Sequence, residues 1–313
     1  MTAAAIAVAG LGRDFTVGRR TLRAVDGIDL AVAVGETVGV VGESGCGKST
    51  LARLMLKLIA PSRGHVHLLG EDVTEFSEAR MRPYRRHLQA VFQDPVSSLN
   101  PRMTVRDIVC EPLRRLAIGP AAMEARVDEM LDLVGLPGEA RRRYPHAFSG
   151  GQRQRIAIAR ALAAEPRVLI CDEATSALDV SVQAQILNLL ADVQERLALA
   201  VVFISHNLGA VRQVSHRVAV MYLGRIVEIG PEAALFRQPA HPYTQALLAA
   251  VPEAVADPVG EAPLAGEVPS PLERPPGCHF HPRCRRADVR CRGEDPPLVS
   301  FAVHHDVRCF YPG

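Results

Sequence analysis

A nine-residue segment rich in glycine, residues 42–50, constrains the fold of this chain more than any other feature. Its sequence, Gly-Glu-Ser-Gly-Cys-Gly-Lys-Ser-Thr, is a complete GxxxxGKST phosphate-binding loop. The apolar run 37–41 before it predicts a buried strand, and the apolar stretch 49–60 after it predicts a helix. Because such loops occur between a strand and a helix, the sequence predicts an α/β fold that binds a phosphate group.

Each part of this loop has a chemical task toward a bound nucleotide. The glycines allow backbone N–H groups to converge on the β- and γ-phosphates, and the dipole of the following helix favours the same anion. Lys48 adds a positive charge, and the Ser49 hydroxyl can bind Mg²⁺. The alternative is a chance glycine-rich turn, and the flanking strand and helix argue against it. The residues predicted to contact nucleotide are Gly42, Ser44, Gly45, Cys46, Gly47, Lys48, Ser49 and Thr50.

Two later apolar runs, 168–171 and 201–204, also predict strands that end in polar residues. Open α/β sheets bind ligands at the carboxyl ends of their strands. Asp172, which follows the first run, is predicted to bind Mg²⁺ directly or through water. Glu173 is predicted to act as the general base that polarises the attacking water. An acidic pair at a strand end is ordinarily a solvated loop or a helix cap, so this assignment depends on the phosphate-binding loop.

A second segment rich in serine and glycine, residues 148–152, predicts the start of a helix that extends to about Ala163. Its sequence is Phe-Ser-Gly-Gly-Gln. Ser149 and the amides of Gly150 and Gly151 would form a second anion-binding helix terminus, followed by Gln152. An ordinary helix cap is the alternative. One phosphate group needs only one such terminus, so a second one predicts contact with the γ-phosphate held by another subunit.

The order of these segments resembles the nucleotide-binding domain of ABC transporters, a P-loop NTPase fold, over residues 5–235. Residues 148–152 match the family's signature sequence, usually LSGGQ. The resemblance implies that Gln93 senses Mg²⁺ and the attacking water. It also implies that Asp179 lies at a dimer seam, that His206 contacts the γ-phosphate and that Phe15 stacks on adenine. An aromatic residue in an N-terminal strand is more often part of the core, which is the alternative for Phe15.

Three further stretches, 94–101, 241–248 and 277–284, resemble the oligopeptide, dipeptide and nickel importer branch of that family. This resemblance implies an ATPase subunit that hydrolyses Mg-ATP at a dimer interface to power import of oligopeptides or dipeptides. The implied partners are two membrane permease subunits, an extracytoplasmic binding protein and a sister ATPase, with a heterodimer preferred to a homodimer. The implied location is peripheral, at the cytoplasmic face of the membrane. The alternatives are a nickel or other small-solute importer of the same branch and a soluble, non-transport ABC ATPase.

Changes in composition along the chain predict its domains. We expect a nucleotide-binding domain at 1–235 with an N-terminal antiparallel β subdomain and a helical subdomain inserted at about 93–164. A proline-rich and then cysteine-rich C-terminal extension follows at 236–313. The formal net charge of +2 argues against a nucleic-acid partner. Since the chain contains no apolar run of 18 residues, the sequence predicts no membrane span.

Four of the seven cysteines lie in the last 36 residues, which suggests a metal site. They are Cys278, Cys284, Cys291 and Cys309. Their spacing lacks the C-x2–4-C pairs of zinc sites. Four thiolates can hold a [4Fe–4S] cluster, and the resemblance implies this cluster for tails of the branch. Iron–sulfur is preferred, with Zn²⁺ and free thiols as alternatives. Four tail histidines are substitute ligands, and we expect at least three of them to be surface residues: His279, His281, His304 and His305.

Cys46 lies inside the phosphate-binding loop at the predicted start of a helix, where the helix dipole lowers the pKa of a thiol. The sequence therefore predicts that alkylating agents inactivate the protein and that nucleotide protects it. A small residue that is merely tolerated in the loop is the alternative.

Overall fold

The computed structural model describes residues 4–94, 98–115, 118–250 and 266–313. The α/β fold class predicted from the sequence is confirmed. The strands are β1 (Ala4–Val17), β2 (Arg20–Ala33), β3 (Thr37–Val41), β4 (Arg63–Leu68), β5 (Glu71–Asp72), β6 (Leu88–Phe92), β7 (Val168–Asp172), β8 (Ala200–Ile204), β9 (Arg217–Tyr222), β10 (Arg225–Pro231), β11 (Val299–Ala302) and β12 (His305–Val307).

The described chain also contains α-helices between these strands. They are α1 (Lys48–Met55), α2 (Glu78–Met81), α3 (Val105–Cys110), α4 (Pro120–Leu133), α5 (Gly150–Ala163), α6 (Val180–Leu197), α7 (Leu208–Val214), α8 (Glu232–Arg237), α9 (Pro242–Ala249) and α10 (Val289–Gly293). Short 3₁₀ helices occur at Leu113–Arg115, Gly138–Arg142, Pro145–Ala147 and His281–Arg283.

The chain divides into two compact units. The first comprises Met1–Ile6, Val32–Thr37 and Glu75–Phe203. The second comprises Ala7–Ala31, Val38–Thr74 and Ile204–Gly313. The boundaries inferred from composition, 1–235 and 236–313 with a helical insert at 93–164, remain predictions.

In the first unit, three neighbouring strands lie in the order β8, β7, β6. Strands β6 and β7 are parallel, with register from Leu88 opposite Val168 to Phe92 opposite Asp172. Every residue of β7 and β8 is buried, which is why these strands are continuous apolar runs in the sequence. Helices α3 and α4 pack against α5.

The second unit contains a small sheet of order β2, β1, β4, β5, in which β4 and β5 are antiparallel. It also contains the strand order β11, β12, β10, β9, β3. Strands β3 and β9 are parallel, whereas β9 and β10 form a hairpin. The hairpin turns at Leu223 and Gly224, whose φ angles of 42° and 84° are typical of a two-residue turn. The apolar runs 218–223 and 226–229, split by Gly224 and Arg225, predict this hairpin from the sequence. The structure confirms it, with the turn one residue earlier.

The C-terminal extension returns to this hairpin, because β12 pairs antiparallel with β10. Glu228, a residue of β10 that pairs with Val307 of β12, is fully buried. Its carboxylate accepts hydrogen bonds from the backbone N–H groups of Ala240 (2.7 Å) and His241 (2.9 Å) and lies 2.7 Å from Nε2 of His305. Since a buried carboxylate needs such partners, this contact holds the start of α9 and the end of the chain in place.

Candidate functional site

The phosphate-binding loop lies between β3 and α1, as the sequence predicts. All five residues of β3 are buried, and Gly47 precedes α1 with φ 107°. Gly47 is the N-cap residue of α1, and this helix start has no side-chain capping hydrogen bond within the described chain. Lys48 is buried, and its Nζ donates hydrogen bonds to the carbonyl oxygens of Gly42 (2.6 Å) and Glu43 (3.0 Å). The ammonium group therefore lies inside the curve of the loop, where an anion would be neutralised.

Close backbone contacts explain why glycine is needed at two positions of the loop. A Cβ atom on Gly42 would lie 2.2 Å from the carbonyl oxygen of Met221, and a Cβ atom on Gly47 would lie 2.2 Å from that of Ala24. Both glycines also have positive φ, which other residues rarely adopt. The carbonyl of Cys46 accepts a hydrogen bond from the N–H of Gly224 at 2.8 Å. The loop is thus supported by the β9–β10 hairpin and by β2.

Cys46 is buried in this loop, with 4% of its surface exposed. Burial raises the pKa of its thiol, and the neighbouring Lys48 only partly opposes that effect. The expectation that the helix dipole lowers the pKa of Cys46 is wrong, because desolvation of a thiolate at this depth outweighs it. The premise for a reactive thiol is therefore lost.

The carboxyl ends of β6 and β7 bring two predicted residues to one edge. Since Phe92 pairs with Asp172, the residues that follow them, Gln93 and Glu173, leave the sheet side by side. Asp172 is 9% exposed, Glu173 is half-buried and Gln93 is exposed. Glu173 has φ 51°, in the left-handed region that a side chain of this type seldom adopts. Backbone strain of this kind is concentrated at functional sites.

His206 follows β8 in the second unit and is exposed. The N–H of Ser205 donates to the carbonyl of Val40 (3.2 Å), close to where β3 leads into the phosphate-binding loop. Asn207 accepts a hydrogen bond from the N–H of Ala210 at 3.1 Å and so caps α7. The hydrogen bond from Ser205 to Val40 and the cap of α7 together place His206 at the sheet edge that carries the loop.

The segment 148–152 begins α5 as predicted, and the helix ends at Ala163. Its start is a complete capping box: Ser149 Oγ accepts from the N–H of Gln152 (3.3 Å), and Gln152 Oε1 accepts from the N–H of Ser149 (3.0 Å). A Cβ atom on Gly151 would lie 2.3 Å from Val182, so glycine allows close approach to α6. Asp179 immediately precedes α6 and is exposed. The segment 148–152 and Asp179 therefore lie at the starts of two neighbouring helices, α5 and α6.

Two families match parts of this chain, and the first match includes the phosphate-binding loop and the segment 148–152. The family described as ABC transporter matches residues 25–176, and the family described as oligopeptide/dipeptide transporter, C-terminal region, matches residues 227–291. A probable peptide ABC transporter ATP-binding protein of Sinorhizobium fredii is 53% identical over 292 residues, 92% of this chain and 82% of that protein. The chain belongs to the ABC transporter ATP-binding proteins. It is therefore an ATPase whose substrate is ATP and whose cofactor is Mg²⁺.

Other ABC proteins are also similar to this chain, at lower sequence identity. The di/tripeptide transport ATP-binding protein DppF of Pseudomonas aeruginosa is 48% identical over 94% of each chain. The oligopeptide transport ATP-binding protein OppF of Escherichia coli is 47% identical over 93% of this chain and 88% of its own. A solved dimeric ATP-binding cassette, in a post-hydrolysis state with ADP and phosphate, superposes with a TM-score of 0.66 at 26% identity. It covers 72% of this chain and 98% of the solved one. The ABC-type fold predicted from the sequence is confirmed.

Phe15 lies on β1 of this ABC protein and is half-buried. The guanidinium carbon of Arg13 lies 4.7 Å from the centroid of its ring, at cation–π distance. The assignment of Phe15 as the adenine contact stays a prediction.

The four tail cysteines line one cavity, together with Phe280, His241 and His281. The N–H of Cys278 donates to the carbonyl of Cys291 at 2.9 Å. Burial raises the pKa of all four thiols, that of Cys278 to about 11, so without a metal they are protonated at neutral pH. Within the described ranges, no group of three or more His, Cys, Asp or Glu side chains is placed to hold a metal ion.

The expectation that at least three of the four tail histidines lie at the surface is wrong. His305 is buried against Glu228, and His279 and His281 are partly buried. Only His304 of these four is exposed. The tail packs onto the rest of the second unit, and this packing buries three of the four histidines wholly or in part. The composition of the tail does not reveal this burial.

Two residues in contact with the phosphate-binding loop were not predicted. The N–H of Glu43 donates to the hydroxyl of Tyr243 (2.9 Å), and the carboxylate of Glu43 pairs with Arg283. Both contacts come from the C-terminal extension. The segments that contain Tyr243 and Arg283 were visible only as marks of family resemblance, because contacts over 200 or more residues leave no local pattern.

None of the helices in the described parts of the chain is long and apolar enough to cross a membrane.

Proposed function

We propose that this ABC protein is the ATPase subunit of a peptide importer, which hydrolyses Mg-ATP at a dimer interface to power import of oligopeptides or dipeptides. One observation carries the proposal: the ABC cassette and the oligopeptide/dipeptide C-terminal region occur in one chain. Relatives at 47–53% identity are named as ATP-binding proteins of peptide transport. A membrane-bound partner would hold the chain peripherally at the cytoplasmic face.

The phosphate-binding loop would hold the triphosphate with its backbone amides and with Lys48. Ser49, Asp172 and Gln93 would hold Mg²⁺, which neutralises phosphate charge. Support comes from the loop geometry and from the register of β6 and β7, in which Phe92, the residue before Gln93, is the partner of Asp172.

Glu173 would act as the general base toward the attacking water, and His206 would contact the γ-phosphate. Phe15 would stack on adenine. These assignments are supported by the position of each residue: Glu173 and His206 follow strands β7 and β8, and Phe15 is a half-buried residue of β1.

A second ATPase chain would complete the site. Ser149, Gly150 and Gln152 are exposed at the start of α5, where a phosphate of a neighbouring subunit can approach. Gly151 anchors this start on α6, next to Asp179 at the proposed seam. We propose a sister ATPase as the partner ahead of a second copy of this chain. The other partners proposed are two membrane permeases and an extracytoplasmic binding protein.

The variant Glu173→Gln tests the catalytic assignment. Loss of the general base should lower steady-state ATP hydrolysis by about 100-fold or more while ATP binding persists. The matched control is Glu195→Gln, which removes an exposed carboxylate of α6. Undiminished hydrolysis in Glu173→Gln would exclude Glu173 as the base.

Uptake of labelled di- and oligopeptides and of nickel by cells that depend on this protein tests the transport substrate. Uptake of nickel alone would contradict the peptide proposal.

We further propose that Cys278, Cys284, Cys291 and Cys309 bind a [4Fe–4S] cluster that pins the tail. Support comes from the single cavity that all four line and from their thiol chemistry, since thiolate ligands suit iron–sulfur clusters. As a structural element, such a cluster would cross-link the tail. Iron, acid-labile sulfide and zinc should be measured on protein purified without oxygen. About four iron and four sulfide per chain are expected. One zinc without sulfide, or no metal, would contradict the cluster.

A further inference from the structure

The C-terminal extension contacts the phosphate-binding loop at Glu43, the residue that follows its first glycine. Arg283 approaches this side chain with both terminal nitrogens: Nη1 lies 2.7 Å from Oε2, and Nη2 lies 3.0 Å from Oε1. The Arg283 side chain is 5% exposed and that of Glu43 is 26% exposed. A paired, largely buried fork of this kind is directional and strong compared with an exposed ion pair.

Every polar group of Glu43 has a partner. Its carboxylate binds Arg283, and its N–H donates to the hydroxyl of Tyr243. Its carbonyl accepts from Nζ of Lys48 (3.0 Å) and from the N–H of Cys46 (3.3 Å). The extension fixes two of these groups, the carboxylate and the N–H, and the loop itself fixes the third, the carbonyl. The conformation at the entrance of the loop therefore depends on residues more than 190 positions further along the chain.

Three packed aromatic rings support the two extension residues, Tyr243 and Arg283. The rings of Tyr222, Tyr243 and Phe280 pack together, with centroids 4.7 Å apart for the two tyrosines and 5.3 and 5.5 Å from these tyrosines to Phe280. All three rings are buried. Tyr222 belongs to β9 beside the loop, whereas Tyr243 and Phe280 belong to the extension. This aromatic cluster fixes where the Tyr243 hydroxyl and the Arg283 guanidinium can lie.

The charge of Glu43 makes its pairing matter for an anionic ligand. A carboxylate at the first turn of a loop that binds triphosphate repels the ligand, and the repulsion grows with ligand charge and with burial. Arg283 neutralises this carboxylate, so Lys48 can act on the phosphates without competition from Glu43. Loss of Arg283 would leave the carboxylate uncompensated beside the binding loop.

We propose that Arg283 and Tyr243 are positioning residues through which the C-terminal extension sets the nucleotide affinity of the phosphate-binding loop. The inference rests on the proposed function, because it assumes that ATP binds at residues 42–50. Arg283 acts through the charge of the Glu43 side chain. Tyr243 acts through its hydrogen bond from the backbone N–H of Glu43. Two different signatures in nucleotide binding follow from these two contacts.

The test uses the full-length chain and equilibrium titration with fluorescent MANT-ATP and MANT-ADP, without Mg²⁺ so that hydrolysis is prevented. Arg283→Gln should raise the Kd for MANT-ATP about tenfold, equivalent to about 1.4 kcal/mol, and the Kd for MANT-ADP less. The double variant Glu43→Gln with Arg283→Gln should return to within about threefold of the wild type, because the uncompensated carboxylate is gone. Arg237→Gln, which removes an exposed arginine of α8, is the matched control and should change neither Kd.

Arg283→Lys guards against a variant that fails to fold, since it keeps the charge and loses only the fork. It should retain most of the MANT-ATP affinity. Tyr243→Phe removes only the hydroxyl, and we expect it to raise both Kd values equally, by about threefold, because no charge changes.

The outcomes separate the two proposals. A wild-type chain that binds no MANT-ATP contradicts the proposed function. A wild-type chain that binds while Arg283→Gln binds ATP equally well, or while the double variant shows no recovery, overturns the inference about Arg283. Unchanged affinities in Tyr243→Phe overturn the inference about Tyr243.

Discussion

The phosphate-binding loop and the segment at 148–152 are both rich in serine and glycine, and each begins a helix, yet they are held in different ways. At α5, two side chains within four residues cap the helix: Ser149 and Gln152 bind each other's backbone N–H groups. At α1, support comes from distant residues, and Lys48 folds back on the loop. A locally capped helix start keeps its shape alone, whereas the loop depends on contacts across the second unit.

This difference matches the roles proposed for the two segments. A loop that surrounds a triphosphate must curve tightly, and this loop curves around Lys48 while its glycines lie against the backbone of Met221 and Ala24. The start of α5 is exposed and preformed, as the proposed contact with a second subunit requires. The comparison predicts that changes far from the loop weaken it, and that only local changes weaken the start of α5.

The largest effect is expected at Asp26, on the β2 side of the loop. Its carboxylate pairs with Arg225 (2.8 Å), Arg274 (2.7 Å) and Arg63, and its N–H donates to the carbonyl of Gly224. Asp26→Asn leaves these arginines without their partner. It should lower the free energy of unfolding by about 3 kcal/mol and weaken nucleotide binding, measured by urea denaturation and MANT-ATP titration.

The same substitution has a defined pH dependence. Burial disfavours the charged form of Asp26, but Arg225 and Arg274 outweigh it and hold the pKa below its ordinary value of 3.8. A depressed carboxylate pKa stabilises the fold above 3.8, and this contribution is lost as the pH falls below that value. The difference in unfolding free energy between wild type and Asp26→Asn should therefore be constant near neutral pH and shrink below pH 3.8. A difference that grows on acidification would contradict the assignment.

The second effect is expected at Gly151, where a Cβ atom would lie 2.3 Å from Val182. Gly151→Ala forces α5 and α6 apart and should cost about 2 kcal/mol of stability. ATP hydrolysis should fall while MANT-ATP binding to the single chain stays unchanged, because the phosphate-binding loop is not touched. For stability, the matched control is Gly150→Ala, whose Cβ meets Leu178 at an ordinary 3.5 Å. Equal losses of unfolding free energy in both variants would show that close approach to α6 is not the cause.

How much could be predicted from the sequence follows the same division. Local patterns set the strand at 37–41, the loop and helix that follow it, the helix from Gly150 to Ala163 and the β9–β10 hairpin, and all were predicted. The helix after the loop was predicted over 49–60, but it ends at Met55. The thiol pKa of Cys46 was predicted in the wrong direction, because burial depends on packing that no nine-residue motif reports. The contacts of Glu43 with Tyr243 and Arg283 and the burial of His305 were not predicted either, since their partners are far apart in the chain.

The smallest effect is expected at Ser149, and it tests the local half of the comparison. Ser149→Ala removes the acceptor for the N–H of Gln152 but leaves the reciprocal bond from the N–H of Ser149 to Gln152 Oε1. Loss of one capping bond typically costs about 1 kcal/mol, so the unfolding free energy should fall by about that amount. Ser149→Thr retains a hydroxyl acceptor and should recover most of the loss. Because the cap is local, the Kd for MANT-ATP should stay at the wild-type value, and a rise as large as that of Arg283→Gln would mean that both helix starts depend on one shared network.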